Sequence, residues 1–321
     1  MIDLISVCIP TFNGKKYVQD SILSARAQDY GYLEILIVDD LSEDGTWEVI
    51  KDQANQDKRI RAIRNESNLG LVANWNKCIK EAKGSWVKFL FQDDLMTADC
   101  CSKMFQFARH HRLNVVLSKR AFFSKSIDEQ ETVDPPSSKE FYHYLGKTRV
   151  LEASEVARFF TNDFLGSNFI GEPIIGLVNK SIFDNFGTFN SDLRQIADFE
   201  FWLRISLNES LGFINETINF FRVHDESESA RNNQNRTISF PKVDRITLGL
   251  LLMNSSYYKG YRAYLMEQGF SLKTLIVEKF TKYITAMGYF KSRKYVNRGA
   301  FRYFHHSLYN LKRAIQKDLN G

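Results

Sequence analysis

Two pairs of adjacent aspartates are the side chains of this sequence best suited to chemistry. Asp39 and Asp40 form one pair, Asp93 and Asp94 form the other, and each pair follows a run of apolar residues. Two unit charges about 4 Å apart repel by roughly 4 kcal/mol at an effective dielectric constant of 20, and a divalent cation removes that cost. Carboxylate oxygens favour Mg²⁺ or Mn²⁺, which bridge one or two carboxylates to substrate phosphates. Asp93 and Asp94, taken alone, are as typical of a solvated turn with a helix cap as of a metal site, whereas Asp39 and Asp40, taken alone, are more typical of a capping turn.

The elements that position these pairs follow an α/β pattern. Short apolar runs alternate with stretches of helical spacing, which is typical of a mainly parallel, Rossmann-like sheet. The predicted strands span residues 5–9, 34–38, 61–64, 86–91, 174–178 and 214–222. We also predict an amphipathic helix over residues 198–208, a surface excursion over 124–150 and a largely helical chain after residue 236. Because ligands of open α/β sheets bind beyond the carboxyl ends of the strands, both aspartate pairs should face one crevice.

Three consecutive segments resemble a known family. VCIPTFN, EILIVDDLSEDGT and RNESNLGLVANWNKCIKEAKGSWVKFLFQDD are similar in order and spacing to the nucleotide-binding half of the family 2 glycosyltransferases, which have the A-type glycosyltransferase fold. The resemblance covers residues 4–230. It implies a nucleotide diphosphate sugar as donor, with uridine as the commonest nucleotide, a Mn²⁺ or Mg²⁺ cofactor, and inverting transfer to a saccharide or lipid-linked acceptor. The sequence departs from the family where the metal motif often begins with aspartate, since Phe91 and Gln92 stand there.

The resemblance also implies which residues hold the donor and its metal. The donor-binding residues would be Pro10, Thr11, Asn13, Asp39, Asp40, Asn68, Asp93 and Arg222. The metal ligands would be Asp94, Asp93 and His224. Arg222 and His224 lie in FFRVHDESES, which resembles a family segment with Arg-x-His after a strand. The arginine would neutralise phosphate or brace an acidic loop, and the imidazole would complete the metal site, although a lone histidine is often structural.

An acidic residue at the start of a helix is the implied catalytic base. FGTFNSDLRQIADFEFWLRIS resembles the acceptor-side segment of the family, and Asp198 occupies the position of the base. A helix N-terminus stabilises an ionised carboxylate, which can take the proton of an acceptor hydroxyl as that oxygen attacks the anomeric carbon. Glu200 and Asp192 are reserve candidates, and a simple helix cap is the alternative for Asp198. The run GEPIIG at 171–176 resembles the loop that shapes the acceptor pocket.

Charge is distributed unevenly over the 321 residues. Residues 240–321 contain 15 Lys and Arg against 4 Asp and Glu, whereas the rest of the chain contains 28 against 34. The length allows one large α/β domain and a smaller unit. We therefore predict a catalytic domain over 1–235, with a nucleotide-binding half at 1–100 and an acceptor half at 150–235, and a basic helical extension over 236–321.

The basic extension interleaves Lys and Arg with Tyr and Phe. This composition favours contact with an anionic membrane surface, to which each basic residue contributes roughly 1 kcal/mol. A solvated helical bundle is the main alternative, and nucleic-acid binding is a minor one. Exposed helices in the extension could also pair in a homodimer.

The sequence predicts a cytoplasmic protein that can attach to the inner face of the plasma membrane. It shows no basic leader followed by a long apolar run, and its apolar runs fall short of the roughly 20 residues of a spanning helix. Its four cysteines have neither the spacing of a zinc site nor the density of a disulfide framework, so we expect them to be reduced.

Two other functions remain open from the sequence. A sugar nucleotidyltransferase also uses strand-end aspartates and a metal, but it needs a glycine-rich basic loop after the first strand, of which PTFNGKK is a poor version. A non-catalytic nucleotide-sugar-binding protein with a degenerate metal motif is the other. The family's commonest setting, and the one expected here, is assembly of cell-surface polysaccharide such as capsule or O-antigen.

Overall fold

The computed structural model describes residues 3–124, 146–166, 168–224 and 240–279. The chain divides into two compact units. The sheet unit comprises Met1–Glu152, Phe169–Phe189 and Glu209–His224, and the helical unit comprises Ala153–Asn168, Asn190–Asn208 and Asp225–Gly321.

Some of the sequence predictions concern residues outside the described ranges. The predicted domain boundary at residue 235, most of the predicted surface excursion and residues 280–321 of the predicted basic extension lie outside the described residues. The division into a catalytic domain and a basic extension therefore stays a prediction.

Nine described strands form one sheet in the sheet unit. Their bounds are β1 Ile5–Thr11, β2 Leu33–Asp39, β3 Ile60–Arg64, β4 Trp86–Phe89, β5 Leu95–Met96, β6 Val115–Phe123, β7 Arg149–Leu151, β8 Gly176–Asn179 and β9 Leu211–Arg222. The strand order is β3-β2-β1-β4-β8-β6-β9-β5, and β7 also pairs with β9. Strands β5, β7 and β8 run against the direction of the others.

The described helices lie in both units. Their bounds are α1 Val18–Arg26, α2 Thr46–Gln56, α3 Leu71–Glu81, α4 Cys100–His111, α5 Ala153–Asn162, α6 Lys180–Phe186, α7 Ala197–Ser206, α8 Phe240–Asn254 and α9 Lys259–Glu267. The helical unit contains α5, α7, α8 and α9, and the sheet unit contains the others.

Continuous burial explains the first two strands. Every residue of β1 and of β2 is buried, as expected for parallel strands covered on both faces. β1 lies between β2 and β4 and is parallel to both. The carboxyl ends of these strands therefore meet along one side of the sheet, which we call the carboxyl edge. The predicted parallel sheet is confirmed for this region.

The second half of the sheet is mixed. β8 is antiparallel to its neighbours β4 and β6, so it begins at the carboxyl edge. The strand predicted over 174–178 begins at Gly176 instead, because Pro173–Ile175 forms a 3₁₀ turn with proline at its start. β6 has no counterpart among the predicted strands, although it pairs with β9 along most of its length.

The helical unit has an aromatic core. Phe160 of α5 packs against Phe199 of α7 and Tyr261 of α9, with ring centroids 6.1 and 5.3 Å apart. Asp244 of α8 accepts hydrogen bonds from three consecutive backbone N–H groups just before α7, at 3.0, 2.7 and 3.3 Å. This carboxylate fixes the turn that leads into α7. Within the described ranges, no helix has the combined length and apolar character that crossing a bilayer requires.

A lysine is buried inside the sheet unit. Lys88 of β4 has no exposed surface, and its ammonium donates hydrogen bonds to the carbonyl oxygens of Phe89 and Ile174 and to Asn219 Oδ1. Burial lowers the pKa of Lys88 from its ordinary value of 10.5, while nearby acidic groups, Asp94 among them, oppose that shift. The three bonds connect β4 with β9 and with the turn before β8.

We predict that Lys88→Met changes how stability depends on pH. Because burial lowers the folded-state pKa of Lys88, the unfolded chain binds more protons in alkaline solution. The unfolding free energy of the wild type should therefore rise relative to that of the variant as pH increases toward 10.5, by at most about 1.4 kcal/mol per pH unit. Urea denaturation from pH 7 upward measures the difference. Lys51→Met, at an exposed position of α2, is the matched control, and parallel pH curves for wild type and Lys88→Met would contradict the prediction.

Candidate active site

Asp39, at the end of β2, is enclosed by hydrogen bonds from the protein itself. Its Oδ1 accepts from the hydroxyls of Thr11 at 3.2 Å and Ser42 at 2.5 Å, and its Oδ2 accepts from the Ser42 amide at 3.1 Å. Arg64 Nε lies 3.4 Å from Oδ2. The carboxylate has no exposed surface. Asp39 thus joins the ends of β1, β2 and β3.

Asp40 organises the loop before α3. Its Oδ1 accepts hydrogen bonds from Asn65 Nδ2 and the Leu69 amide, both at 2.8 Å, and its Oδ2 accepts from the Gly70 amide at 2.9 Å. Asn68 Nδ2 donates to the Asp40 carbonyl oxygen at 3.2 Å. The carboxylate is 2% exposed, so its acceptor capacity is used within the fold.

Two further predicted donor-binding residues lie at the end of β1. Pro10 is buried and pairs in register with Val38 of β2. Asn13 is exposed and has a left-handed backbone, with φ of 48°. Its side chain accepts a hydrogen bond from the Glu43 amide at 2.9 Å. The structure thus brings the predicted donor-binding residues of β1 and β2 together at the carboxyl edge.

Gln92 joins the loops that follow β1 and β4. Its Oε1 accepts a hydrogen bond from the Phe12 amide at 2.8 Å, and its Nε2 donates to the Phe12 carbonyl oxygen at 3.2 Å. A Cβ at Gly14 would lie 2.3 Å from the same amide group, so glycine is needed for this approach. Gln92, which stands where the family often has aspartate, is therefore engaged in backbone pairing.

Asp93 and Asp94 meet the end of β9. Asp93 Oδ2 lies 2.8 Å from His224 Nε2, and both side chains are partly exposed. Asp94 has no exposed surface, and its Oδ1 accepts a hydrogen bond from the Arg222 amide at 2.8 Å. The structure thus brings together four predicted site residues from two distant segments of sequence.

The Arg222 guanidinium braces this acidic turn. Its Nε donates to the Asp93 carbonyl oxygen at 2.9 Å, and its Nη2 lies 3.4 Å from Asp20 Oδ2. The group lies over the rings of Tyr17 and Phe123, 4.5 and 4.4 Å from their centroids. Stacking of this kind holds arginine in a fixed orientation. Of the two roles predicted for Arg222, the bracing contact is present.

Tyr17 is a site residue that the sequence analysis missed. Its ring centroid lies 4.9 Å from that of His224, in addition to its contact with Arg222. Tyr17 immediately precedes α1. No local signal distinguishes it, because its partners lie more than 200 residues away.

Burial determines the electrostatics of Asp94. It raises the pKa of the Asp94 carboxyl well above its usual range, and the charge of Asp93 adds to that effect, whereas the Arg222 amide opposes it. Asp94 Oδ2 and His224 Nδ1 are buried atoms without a hydrogen-bond partner among the described residues. A cation beside these atoms would compensate the buried carboxylate.

Asp198 lies near the N-terminus of α7, in the helical unit. Its Oδ2 accepts a hydrogen bond from Asn168 Nδ2 at 3.0 Å, and its Oδ1 accepts from the Phe199 amide at 2.8 Å. The side chain is half-buried. Its carboxylate is thus oriented by neighbours and placed where a helix N-terminus favours negative charge.

The two reserve base candidates differ from Asp198. Glu200 is buried and accepts hydrogen bonds from Arg204 Nε at 2.9 Å, Arg204 Nη2 at 3.0 Å and the Tyr258 hydroxyl at 2.7 Å. This carboxylate is occupied by an internal ion pair. The Asp192 amide donates to Asn190 Oδ1 at 3.0 Å, which places it in a turn.

Comparison with known sequences identifies the family. The sequence model of glycosyl transferase family 2 matches residues 6–168, which is half of the chain. The chain belongs to this family. The predicted family is confirmed, and the protein is a glycosyltransferase.

A beta-1,3-glucosyltransferase of Campylobacter jejuni, named for GalNAc(5)-diNAcBac-PP-undecaprenol, is 31% identical to this chain. The match covers 56% of this chain and 53% of that relative. The matched segment covers 70% of the length of one further relative and between 38% and 48% of the lengths of three others.

Solved structures show the same fold for this glycosyltransferase. Staphylococcus aureus TarS 1–349 in complex with UDP-GlcNAc superposes with a TM-score of 0.64 at 18% identity, over 97% of this chain and 81% of that one. Mannosyltransferase PcManGT from Pyrobaculum calidifontis, in complex with GDP-Man and Mn²⁺, gives 0.55 at 13% identity, over 97% and 87%. The predicted A-type glycosyltransferase fold is confirmed.

The three metal ligands predicted for the glycosyltransferase are not equivalent in the structure. No group of three or more histidine, cysteine, aspartate or glutamate side chains in the described part of the chain is arranged to hold a metal ion. Asp93 and His224 form a partly exposed pair, whereas Asp94 is enclosed. Two protein ligands are enough for an ion that also binds phosphate oxygens.

We predict that Asp40→Ala destabilises this glycosyltransferase by about 2–4 kcal/mol, because three donors lose a buried acceptor. Asp40→Asn retains one carbonyl oxygen and should lose less. Urea denaturation at neutral pH measures both variants. Asp52→Ala, which removes an exposed carboxylate of α2, is the control, and an equal, small loss in Asp40→Ala and Asp52→Ala would contradict the prediction.

Proposed function

We propose that this glycosyltransferase moves a sugar from a nucleotide diphosphate donor to a saccharide or lipid-linked acceptor, with inversion at the anomeric carbon. The observation that carries the proposal is the pairing of Asp93 with His224 at 2.8 Å on the carboxyl edge. Nucleotides bind α/β sheets at this edge. A UDP sugar is the first candidate donor, supported by the TarS complex with UDP-GlcNAc. GDP and deoxythymidine diphosphate sugars are the alternatives.

The donor set of the carboxyl edge fits Mn²⁺ or Mg²⁺. Asp93 supplies carboxylate oxygen, His224 supplies imidazole nitrogen, and Asp94 Oδ2 is a buried oxygen without a hydrogen-bond partner in the described ranges. We assign the ion to Asp93 and His224 and propose Asp94 Oδ2 as the further protein oxygen facing its charge. When bound, the ion would offset charge that develops on the departing diphosphate. The PcManGT complex with GDP-Man and Mn²⁺ supports the choice of a divalent ion.

The residues near β1 and β2 would hold the nucleotide in two ways. Asn13 and Asn68 have exposed side chains that can reach base or ribose. Asp39 and Asp40 are buried and hydrogen-bonded within the fold, so we propose that they shape the loops against which base and ribose lie. Thr11 contributes through its bond to Asp39.

Asp198 is the proposed catalytic base. Its half-buried carboxylate would accept the proton of the acceptor hydroxyl while that oxygen forms a bond to the anomeric carbon and the bond to the diphosphate breaks. A single displacement of this kind inverts the configuration and needs no protein nucleophile. Glu200 is a poorer base because its carboxylate is paired with Arg204.

Cell-surface polysaccharide assembly, such as capsule or O-antigen, is the proposed setting. The name of the C. jejuni relative specifies an undecaprenol-linked saccharide, and that supports a lipid-linked acceptor here. We propose a cytoplasmic location with peripheral attachment to an anionic membrane through residues 240–321. Salt-sensitive binding to anionic vesicles would test the attachment. Formation of a homodimer through helices of the same residues stays a prediction.

We predict that one nucleoside diphosphate binds in a Mn²⁺-dependent manner and that Asp93→Ala weakens its affinity about tenfold or more. The removed carboxylate holds the ion that meets the diphosphate. Calorimetric titration of uridine, deoxythymidine and guanosine diphosphates, with and without Mn²⁺, measures the affinities. Asp52→Ala serves as the variant that should bind like wild type.

The same titration, combined with assays of donor hydrolysis and of pyrophosphate release, separates the competing functions. Absence of binding for all three nucleotides would overturn the proposed function. Binding without Mn²⁺-dependent hydrolysis of any sugar conjugate would favour the non-catalytic binding protein. Release of pyrophosphate from a nucleoside triphosphate and a sugar phosphate would favour the nucleotidyltransferase.

We predict that Asp198→Asn reduces sugar transfer about 100-fold or more while leaving nucleoside diphosphate affinity within about twofold, because it removes a proton acceptor and no donor contact. Steady-state transfer or donor hydrolysis measures the rate, and calorimetry measures the affinity. Glu200→Gln should instead lower thermal stability, since it breaks the buried pair with Arg204. Equal activity of Asp198→Asn and wild type would exclude Asp198 as the base.

A further inference from the structure

Glu172 is an acidic residue at the carboxyl edge to which the proposed function gives no role. It lies four residues before β8, which is antiparallel to β4 with Lys88 opposite Leu177. The start of β8 therefore lies beside the end of β4, where the chain continues to Asp93 and Asp94. The carboxylates of Glu172 and Asp94 are close enough for their charges to interact.

Two buried cations lie against the turn that carries Glu172. Lys88 donates a hydrogen bond to the Ile174 carbonyl oxygen. Arg120 of β6 approaches Gly171, where a Cβ would lie 2.5 Å from the guanidinium and where φ is +119°. Glycine is required there for both reasons. A turn fixed in this way presents its side chain in one place.

Arg120 also determines the direction of the Glu172 side chain. Arg120 Nε lies 2.7 Å from Glu172 Oε2, and the Arg120 side chain is 5% exposed, whereas that of Glu172 is 29% exposed. The guanidinium lies over the Phe122 ring at 4.8 Å from its centroid. The arginine is thus fixed by packing, and the ion pair orients a carboxylate that still reaches solvent.

The chemistry of an ionised carboxylate limits what Glu172 can bind at this edge. It only accepts hydrogen bonds, and it repels the phosphates of a nucleotide diphosphate. Its favourable partners are neutral hydroxyl groups, and those of the sugar attached to the terminal phosphate come closest to the Asp93–His224 pair. Hydrogen bonds from hydroxyl groups to a carboxylate are short and strong, and a site built to accept from a substrate hydroxyl discriminates against sugars that lack it.

We propose that Glu172 binds hydroxyl groups of the donor sugar and thereby helps select which sugar is transferred, with Arg120 and Lys88 as the residues that position it. The assignment rests on the proposed function, because it requires a nucleotide sugar at this edge. It adds a specificity-determining residue from the turn before β8, at the opposite side of β4 from the nucleotide-binding loops of β1 and β2.

The test compares bare nucleotides with their sugar conjugates in the full chain with Mn²⁺. The probes are UDP, UDP-glucose, UDP-galactose, UDP-GlcNAc, GDP, GDP-mannose, deoxythymidine diphosphate and its glucose conjugate. We expect Glu172→Gln to bind the bare nucleotide within about twofold of wild type and to lose about 10- to 100-fold in affinity for the preferred conjugate. Glu172→Asp keeps the carboxylate but places it on a shorter side chain. This variant should lose less affinity for the preferred conjugate and should change the order of affinities among the sugar conjugates.

Glu216→Gln is the matched control. Glu216 of β9 is also an ion-paired glutamate of the sheet unit, and its partner is Lys103 of α4. It should bind every probe like wild type. Unchanged conjugate affinity in Glu172→Gln would overturn the inference, as would an equal loss for bare nucleotide and conjugate. Normal donor binding with loss of transfer alone would assign Glu172 to the acceptor and also overturn it. Absence of nucleotide binding by the wild type would instead remove the proposed function itself.

Discussion

The end of β9 makes it possible for two adjacent carboxylates to lie at the end of β4. A buried carboxylate without compensation is strongly unfavourable, and Asp94 has no exposed surface. The Arg222 amide donates to Asp94 Oδ1, and the Arg222 guanidinium donates to the Asp93 carbonyl oxygen. These contacts require β9 to end beside the turn that follows β4. The pairing of β9 with β6 and β5 determines where β9 ends. The position of the acidic turn thus depends on strands that lie far along the chain from it.

The same residue type has different surroundings at the ends of β2 and β4. Asp39 and Asp40 have their oxygens occupied by hydroxyl, amide and guanidinium groups of the fold. Asp93 is partly exposed and meets a histidine, which is itself able to bind a metal. Neighbouring donors, rather than the presence of an aspartate pair, separate a carboxylate that builds loops from one that can meet a ligand.

The sequence predicted those parts of the fold that depend on local pattern. β1, β2 and β4 are short apolar runs that end in polar residues, and such runs identify buried parallel strands and the edge at which they end. The direction of β8 could not be predicted, because it depends on pairing with β4 and β6. Lys88 lies in an apolar run without a local signal for its partners, and Tyr17 and Glu172 likewise gain their roles from residues distant in sequence. Motif resemblance supplied Asp198 as the candidate base, whereas periodicity alone predicts only a helix cap there.

Three buried cations near the carboxyl edge are engaged by the fold itself. Lys88 is bonded to two carbonyl oxygens and Asn219, Arg120 is paired with Glu172, and Arg222 is stacked between two rings while it braces the acidic turn. Each of these buried cations is already committed to the scaffold, and withdrawing one would leave a carboxylate or a carbonyl group uncompensated. These three side chains are therefore engaged within the fold, and under the proposed function the Asp93–His224 pair would offer oxygen and nitrogen ligands to an ion that offsets the charge of the diphosphate.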